Sequence, residues 1–310
     1  MKTEFYTKQG EVIIKLAEHL LQVGPGDRLP SVSDYCALLS AGSGTVQAAL
    51  KTLIDAGAIV LESHGYQGTH VVSTNLSLLW KFSQHSVLIG CMPLPYTKRF
   101  QGMATALYQQ FEQANIPLSL NYVRGGRWRV QRLMEGHIDY TICSRLTAKS
   151  ALEEYSNICV ALDLGERSFV GQCCILFASP NENHIRNGMR IGVDRGTYDH
   201  VVFNEALCKG LDVTFEPLNY PQIFSALRKG LIDATMWNMD EDEERYIGLK
   251  SVPAAISSET KEIEREFCWG VILTRDDDPQ YASVIRSVVN VPQLHAVQKS
   301  VIEDRIIPAY

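Results

Sequence analysis

The sequence predicts an α/β protein with two parts, a small winged helix-turn-helix at the N-terminus and a two-lobed domain of alternating strands and helices after it. Two observations support this prediction. Residues 31–72 have the pattern of two short amphipathic helices and a hairpin, and a motif at 133–141 recurs at 227–235. With 310 residues and 45% apolar composition, the chain is long enough for two or three domains with buried cores.

The helix-turn-helix is predicted within residues 31–56. Ser31 is a typical N-cap, and the apolar residues that follow it have helical spacing as far as Leu39. A short turn over 40–42 then leads to a second amphipathic segment at 45–56. We interpret this second segment as the recognition helix.

A two-stranded wing is predicted directly after the recognition helix. Gly57 is expected in the left-handed conformation that ends helices, and strands are predicted over 58–61 and 69–72. Gly65 and Gly68 would turn the first strand back into the second. A further helix over 12–21 precedes the motif.

These residues resemble the GntR family of bacterial regulators over roughly the first quarter of the chain. The resemblance rests on Leu29-Pro30-Ser31, on Thr45-Val46 in the recognition helix and on Gly68-Thr69 in the wing. It implies binding of operator DNA. Two arginines that the family uses on DNA are replaced here by Ser33 and Ser43. The candidate DNA-binding residues are Ser31, Ser43, Thr45, Gln47, Lys51, His64, Gln67 and Thr69.

The charge of the N-terminal part leaves a second interpretation open. Residues 1–75 contain five Lys or Arg and seven Asp or Glu, whereas binding to duplex DNA draws much of its affinity from neutralised phosphates. The alternative is a ligand-sensing adaptor whose winged helix mediates dimer or protein contacts without binding DNA.

The compartment and domain boundaries follow from composition. No apolar run is long enough to span a membrane and no leader pattern is present, so a cytoplasmic protein is expected. The eight cysteines have no Cys-x-x-Cys spacing, so neither disulfides, structural zinc nor another cofactor is expected. We predict a winged helix-turn-helix DNA-binding domain at 1–73, a linker at 74–85 and a two-lobed effector-binding domain at 86–310.

The second part begins with alternating elements, namely a strand at 87–91, a helix at 99–114 and a strand at 118–123. The recurring motif has Leu, Gly, Ile, Asp and Thr in the same register in both copies. Each copy has the pattern of a helix end, a glycine cap and a buried strand. Two related lobes are therefore predicted.

The recurring unit consists of a helix end, a glycine, an Ile-Asp pair and a strand. It resembles the lobes of the type II periplasmic-binding-protein fold, which regulators such as the LysR family use as effector domains. The winged helix precedes this lobe pair, and Met92-Pro93-Leu94-Pro95-Tyr96-Thr97 forms the first loop of the first lobe. Together they resemble the YhfZ-type transcriptional regulators over the whole chain. That resemblance implies regulation and names no ligand.

Ligands of open α/β sheets bind beyond the carboxyl ends of the strands, near the N-termini of helices. Four arginines in such loops provide fork donors for a carboxylate or phosphate, so a small anionic metabolite is the predicted ligand. The candidate ligand-binding residues are Tyr96, Thr97, Arg124, Arg127, Ser144, Arg145, Arg195, Thr197, Trp237 and Asn238.

Catalysis is not expected, because the common nucleophile, zinc-protease and nucleotide-binding motifs are absent from the sequence. A two-lobed enzyme is the less favoured alternative. The acidic run 240–244 is interpreted as a solvated helix start and not as a metal site. Because paired recognition helices read pseudo-palindromic sites, a homodimer is expected.

Overall fold

The structure is a computed structural model that describes residues 7–240 and 246–310. Most of the acidic run 240–244 lies outside the described residues. The chain divides into two compact units. The first unit comprises Met1–Leu88, Gln110–Ser119 and Asp278–Val288, and the second comprises Ile89–Gln109, Leu120–Asp277 and Val289–Tyr310. None of the described helices is both long and apolar enough to cross a membrane.

The predicted helix-turn-helix is present. Helix α1 (Lys8–Leu20) is followed by α2 (Val32–Leu39) and α3 (Ser43–Asp55). Ser31 caps α2 as expected, since its side chain accepts from the backbone N–H of Asp34 while Asp34 accepts from the backbone N–H of Ser31. The three helices share a core whose buried members are Val12, Leu16, Ala17, Leu20, Tyr35, Leu39, Val46, Ala49 and Leu53.

The wing is confirmed as an antiparallel pair of β1 (Ile59–Ser63) and β2 (Thr69–Thr74). Gly57 has a φ of +72°, the left-handed conformation expected at the end of α3. Gly68 has a φ of +92°, and a Cβ there would lie only 2.7 Å from Nε of Arg28. The turn of the wing therefore requires glycine at this position.

The first unit also contains two helices from later in the chain. Helix α4 (Leu76–Phe82) lies within the segment that the sequence assigns to a linker, and it buries Leu79 and Trp80 completely. Helix α11 (Pro279–Val288) places Tyr281 beside Trp80, with 6.4 Å between the ring centroids. The domain boundaries themselves stay a prediction.

Two five-stranded sheets build the rest of the chain. The first sheet contains β3 (Leu88–Met92), β4 (Leu118–Tyr122), β5 (Tyr140–Ser144), β6 (Ile158–Gly165) and β12 (Gly270–Arg275). The second contains β7 (Cys173–Phe177), β8 (Arg190–Val193), β9 (Thr214–Pro217), β10 (Ala234–Asn238) and β11 (Lys250–Pro253). The strand order is β4-β3-β5-β12-β6 in the first sheet and β11-β7-β10-β8-β9 in the second.

Helices connect the strands of both sheets. The remaining helices are α5 (Lys98–Gln113), α6 (Gly126–Met134), α7 (Arg145–Glu154), α8 (Tyr198–Leu207), α9 (Ile223–Arg228), α10 (Ser258–Cys268) and α12 (Val291–Ile302). In each sheet one strand runs antiparallel to its two neighbours, β12 between β5 and β6 and β7 between β10 and β11. When the second sheet is read from its β9 edge, its order β9-β8-β10-β7-β11 corresponds strand by strand to that of the first, with the antiparallel strand in fourth place. The predicted two-lobed α/β architecture is confirmed.

The recurring motif explains why the two lobes are alike. In the first lobe, the carboxylate of Asp139 accepts from the backbone N–H of Ile89 at 2.8 Å, which ties the start of β5 to β3. In the second lobe, Asp233 accepts from the backbone N–H of Arg190 at the same distance. The recurring glycines have a left-handed backbone in both copies, with φ of +72° and +63°. The motif, called the joint below, thus connects two neighbouring strands once in each lobe.

Candidate ligand-binding cavity and DNA-binding surface

A cavity lies between the two lobes of the second unit. Its volume is about 100 Å³, and because one water needs about 10–15 Å³ of such space, it has room for a small molecule. The loops that follow β3, β4 and β10 open into it, together with the first turn of α8. The lining residues are Pro93, Leu94, Tyr96, Thr97, Phe100, Arg124, Gly125, Gly126, Arg129, Phe169, Val170, Thr197, Asp199, Tyr220, Asn238 and Phe267.

Arg129 is the principal buried cation of this lining. Its side chain is on α6, and the residue is only 3% exposed. Nε donates to the carbonyl of Ile142 at 3.2 Å and Nη1 donates to the carbonyl of Val123 at 2.9 Å. Among the described residues no carboxylate forms a salt bridge with it, and Nη2 has no hydrogen bond. A buried guanidinium held in this way is suited to an anion.

Asp199 supplies a carboxylate from the second lobe. It is 3% exposed, and its Oδ1 accepts from the hydroxyls of Ser144 at 2.7 Å and Thr147 at 3.1 Å, both at the N-terminus of α7 in the first lobe. Burial raises the pKa of Asp199 to about 6, against the opposing effect of these hydrogen bonds. Asp199 therefore links the second lobe to the first through two hydrogen bonds.

Arg124 differs from Arg129 in having an acidic neighbour. Its Nη1 lies 3.5 Å from Oδ2 of Asp194, and its side chain is 36% exposed. The lobes approach each other closely here, since a Cβ on Gly125 would lie 2.3 Å from the carbonyl oxygen of Gly196. Gly125 also has a φ of +82°. Glycine is therefore required at the turn that precedes α6.

His200 fixes the position of Asp194. Its Nδ1 accepts from the backbone N–H of Asp194 at 3.1 Å, and its Nε2 lies 3.0 Å from the carbonyl of Met236. Burial lowers the pKa of His200 to about 4, which matches an imidazole that must stay neutral to accept at Nδ1. Asp194 in turn faces Arg124.

An aromatic stack forms one wall of the cavity. The rings of Tyr96 and Tyr220 are stacked at 6.2 Å, and Tyr220 is stacked on Trp237 at 4.1 Å. Asn238 donates to the hydroxyl of Tyr220 at 2.8 Å. The opposite wall is apolar and includes Phe100 and Phe169, whose rings pack edge to face.

Half of the sequence-predicted ligand residues lie in the lining, namely Tyr96, Thr97, Arg124, Thr197 and Asn238. Two others lie directly behind it. Ser144 donates a hydrogen bond to the lining residue Asp199, and Trp237 is stacked on the lining residue Tyr220. The buried indole N–H of Trp237 has no hydrogen-bond partner within the described residues.

The other three predicted arginines lie outside the lining. Arg145 forms a salt bridge with Glu266 at 3.4 Å and lies over the ring of Trp269. Arg127 and Arg195 line another hollow of the surface, which they share with Tyr198 and Glu205. Sequence reasoning overlooked Arg129, Asp199 and Tyr220, because each lies on a helix or turn whose orientation only the folded lobes reveal. The only sequence signal for Arg129 was its position one turn after Gly125.

The candidate DNA-binding surface lies in the first unit. On α3, Ser43, Gln47 and Lys51 are exposed, Thr45 is half-buried, and Lys51 is the one cation of the helix. Gly42 at the N-cap offers no side-chain hydrogen bond to the first turn, so backbone N–H groups there are available to a phosphate.

The other predicted contacts have mixed surroundings. Ser31 is engaged in capping α2. In the wing, His64 lies 3.7 Å from Glu62, Gln67 is exposed, and Thr69 is half-buried at the start of β2.

Comparison with known families identifies the chain. The model of the YhfZ C-terminal domain matches residues 75–310. The chain belongs to the YhfZ family. A helix-turn-helix domain model matches residues 25–71, in agreement with the winged helix-turn-helix described above.

Relatives of the YhfZ family cover the whole chain. The "Uncharacterized protein YhfZ" of Escherichia coli (strain K12) is 31% identical over 311 residues and covers 100% of both chains. The crystal structure of YhfZ from Shigella flexneri is 29% identical, covers 76% of this chain and 97% of its own, and has a TM-score of 0.62.

A more distant structure shows the fold of the two lobes. The periplasmic aliphatic sulphonate binding protein SsuA from Escherichia coli is 14% identical, covers 71% of this chain and 75% of its own, and has a TM-score of 0.51. The two lobes of this YhfZ family member therefore have the periplasmic-binding-protein fold.

Proposed function

We propose that this chain is a ligand-responsive transcriptional regulator, which binds operator DNA through its winged helix and a small anionic metabolite in the cavity between its lobes. The helix-turn-helix domain supports the first part, and a cytoplasmic site of action is part of the proposal because operator DNA is read there. A homodimer is part of the proposal, since two recognition helices would read the two halves of a pseudo-palindromic operator.

Arg129 carries the ligand half of the proposal. The buried guanidinium of Arg129 attracts Asp199 electrostatically but forms no salt bridge with it among the described residues, and two backbone carbonyls replace its lost hydration only in part. An anion in the cavity would complete its hydrogen bonds, with Thr97, Thr197 and Asn238 as further donors. The phenylalanine wall would contact an apolar body, so the ligand we propose is a small organic anion.

The experiment is a thermal-shift and calorimetric comparison of small anions with their neutral isosteres, beginning with benzoate against benzamide and butyrate against butyramide. We expect the anion of a pair to bind and the amide to bind at least about tenfold more weakly, which corresponds to 1.4 kcal/mol. Arg129→Met should abolish the preference for the anion. Arg195→Ala removes an exposed guanidinium outside the lining and should leave binding unchanged.

Equal binding of anion and amide, or unchanged anion binding by Arg129→Met, would contradict the assignment of the cavity to an anion.

The second candidate is a ligand-sensing adaptor that does not bind DNA. The observation in its favour is the single cation on the exposed face of α3, within a domain in which acids outnumber Lys and Arg. This candidate keeps the anion cavity and assigns the winged helix to protein contacts. It predicts no difference between operator and unrelated duplex.

A further inference from the structure

Two buried thiols and a carboxylate lie together outside the cavity. The Sγ atoms of Cys173 and Cys268 and a carboxylate oxygen of Glu264 all lie within 4.8 Å of one another. Cys173 is 0% exposed and Cys268 is 3% exposed, whereas Glu264 is partly exposed. The cluster therefore reaches solvent through its carboxylate alone.

The distances among these three atoms suit a cation with tetrahedral coordination. With Zn–S at about 2.3 Å and Zn–O at about 2.0–2.2 Å, ligand atoms of such a site are roughly 3.5–3.8 Å apart. Movements of about 1 Å or less would bring the three atoms to that spacing. Two thiolates and one carboxylate form a donor set that zinc uses, and the solvent side of Glu264 leaves a fourth position for water.

The carboxylate is already oriented by the backbone. Oε1 of Glu264 accepts from the N–H of Cys173 at 2.7 Å, which fixes the side chain over the thiols and leaves its second oxygen available. Within the described residues no lysine, arginine or histidine forms a salt bridge with Glu264. A carboxylate set against two buried thiols without a cationic side chain is the observation that points to an ion.

We propose that Cys173, Cys268 and Glu264 bind one thiophilic divalent cation, with zinc as the expected ion. Cysteine spacing in the sequence gives no sign of such a site, because the two thiols come from opposite ends of the second lobe's sequence.

The place of the cluster in the fold gives the ion a structural consequence. Cys173 begins β7, where the chain first enters the second lobe, and Cys268 ends α10, just before the chain returns to β12 of the first lobe. The two chain segments that connect the lobes are already in contact, since the N–H of Phe169 donates to the carbonyl of Cys268 at 3.0 Å. A bound ion would link these two connecting segments and restrict movement of one lobe against the other.

A disulfide is the competing use of two neighbouring thiols. Both sulfur atoms are free thiols in the structure, and their burial limits the access that thiol–disulfide exchange requires.

The test uses Co²⁺ as a spectroscopic probe of the reduced, metal-free full chain, followed by competition with Zn²⁺ and metal analysis after dialysis. We expect a thiolate-to-cobalt charge-transfer band that saturates at one equivalent and is displaced by zinc. Cys173→Ser and Cys268→Ser should lose the band. Glu264→Gln keeps an oxygen for the N–H of Cys173 and should weaken zinc binding at least about tenfold.

Cys174→Ser is the matched control, because Cys174 is an equally buried neighbour in the same strand and not a member of the cluster. It should keep the band. Absence of the band in the wild-type chain, or its survival in Glu264→Gln and the cysteine variants alike, would overturn the proposal. Loss of two free thiols in air without any cobalt band would identify a disulfide instead and would equally overturn it.

Discussion

Asp199 and His200 are adjacent residues of α8 whose pKa values move in opposite directions. Burial raises the pKa of Asp199 from 3.8 to about 6 and lowers the pKa of His200 from 6.5 to about 4. Between pH 4 and 6 the folded chain holds an extra proton on Asp199, so this residue makes stability fall as pH rises. His200 holds fewer protons when folded, so it makes stability rise with pH over nearly the same range.

Substitution of either residue should therefore reveal the effect of the other. The free energy of unfolding of Asp199→Asn, relative to the wild-type chain, should increase from pH 4 to pH 6 by up to about 3 kcal/mol, the energy of a shift of two pKa units. His200→Gln should show the opposite trend from pH 4 to pH 6.5. Urea denaturation at several pH values measures both, and parallel curves for all three proteins would contradict these pKa shifts.

Ligand affinity should also depend on the charge of Asp199. The carboxylate lines the same cavity as Arg129, so its ionisation adds a negative charge beside the proposed anion. We expect the affinity for the anion that binds in the isostere comparison to fall about tenfold or more between pH 5 and pH 7.5. In Asp199→Asn the calorimetric affinity should be nearly flat over this range. An equal pH dependence in both proteins would show that another group is responsible.

The limits of sequence reasoning at the residue scale are clearest among the arginines. Arg124 was selected as a loop residue beyond a strand, and it lies in the cavity lining. The same argument selected Arg145, which the fold instead turns toward Glu266 and Trp269. Arg129 was overlooked because an arginine inside an amphipathic helix is usually solvated, and only the packing of α6 against β5 shows that it is buried.

At the scale of elements, the repeated joint was the most predictable feature of the chain. Its helix end, glycine and buried strand depend on local sequence, and the structure confirms them in both lobes. The sequence could not show what the repeated aspartate does. That role depends on β3 and β8, since the two carboxylates accept hydrogen bonds from backbone N–H groups of these strands, 50 and 43 residues earlier in the chain.

Loss of either aspartate should destabilise its lobe. Asp139→Ala and Asp233→Ala each leave a strand N–H without its acceptor, which costs roughly 1–3 kcal/mol. Glu135→Ala is the control, since its exposed carboxylate accepts from Gln131 and forms a surface ion pair with His137 at 3.2 Å, and its loss should cost less than about 1 kcal/mol. Chemical denaturation measures all three. If the aspartate variants lose no more stability than Glu135→Ala, the claim that these two aspartates stabilise their lobes is wrong.

The recognition helix supplies a prediction of its own under the proposed function. Gln47 and Lys51 lie one turn apart on the exposed side of α3, and Lys51 forms no ion pair within the described residues. Lys51→Ala should weaken DNA binding and reduce the slope of log affinity against log salt by about one. Gln47→Ala should weaken specific binding without changing that slope.

Lys81→Ala, which removes an exposed lysine from α4, is the control for charge alone. A salt slope that is equally reduced in Lys81→Ala, or unchanged in Lys51→Ala, would remove α3 from the interface. Fluorescence anisotropy with a labelled duplex gives both quantities.

At the scale of the whole molecule, the proposed mechanism is a shift between populations. An anion that bridges Arg129 of the first lobe and the first turn of α8 in the second would favour the closed arrangement, provided that it binds open and closed forms unequally. The effect on paired winged helices would then alter operator affinity. Sequence patterns predicted both domains, because their elements are local and repeated, but not the cavity, which exists only where loops from two lobes converge.

The most direct measurement is a titration of the full chain into labelled DNA from its own upstream region at two salt concentrations, with an unrelated duplex as control. We expect the upstream duplex to bind at least about a thousandfold more tightly than the control, which is the lower end of the range of specific regulators, and affinity to fall as salt rises. Equal affinity for both duplexes, with the protein folded and its anion cavity functional, would contradict the assignment as a DNA-binding regulator.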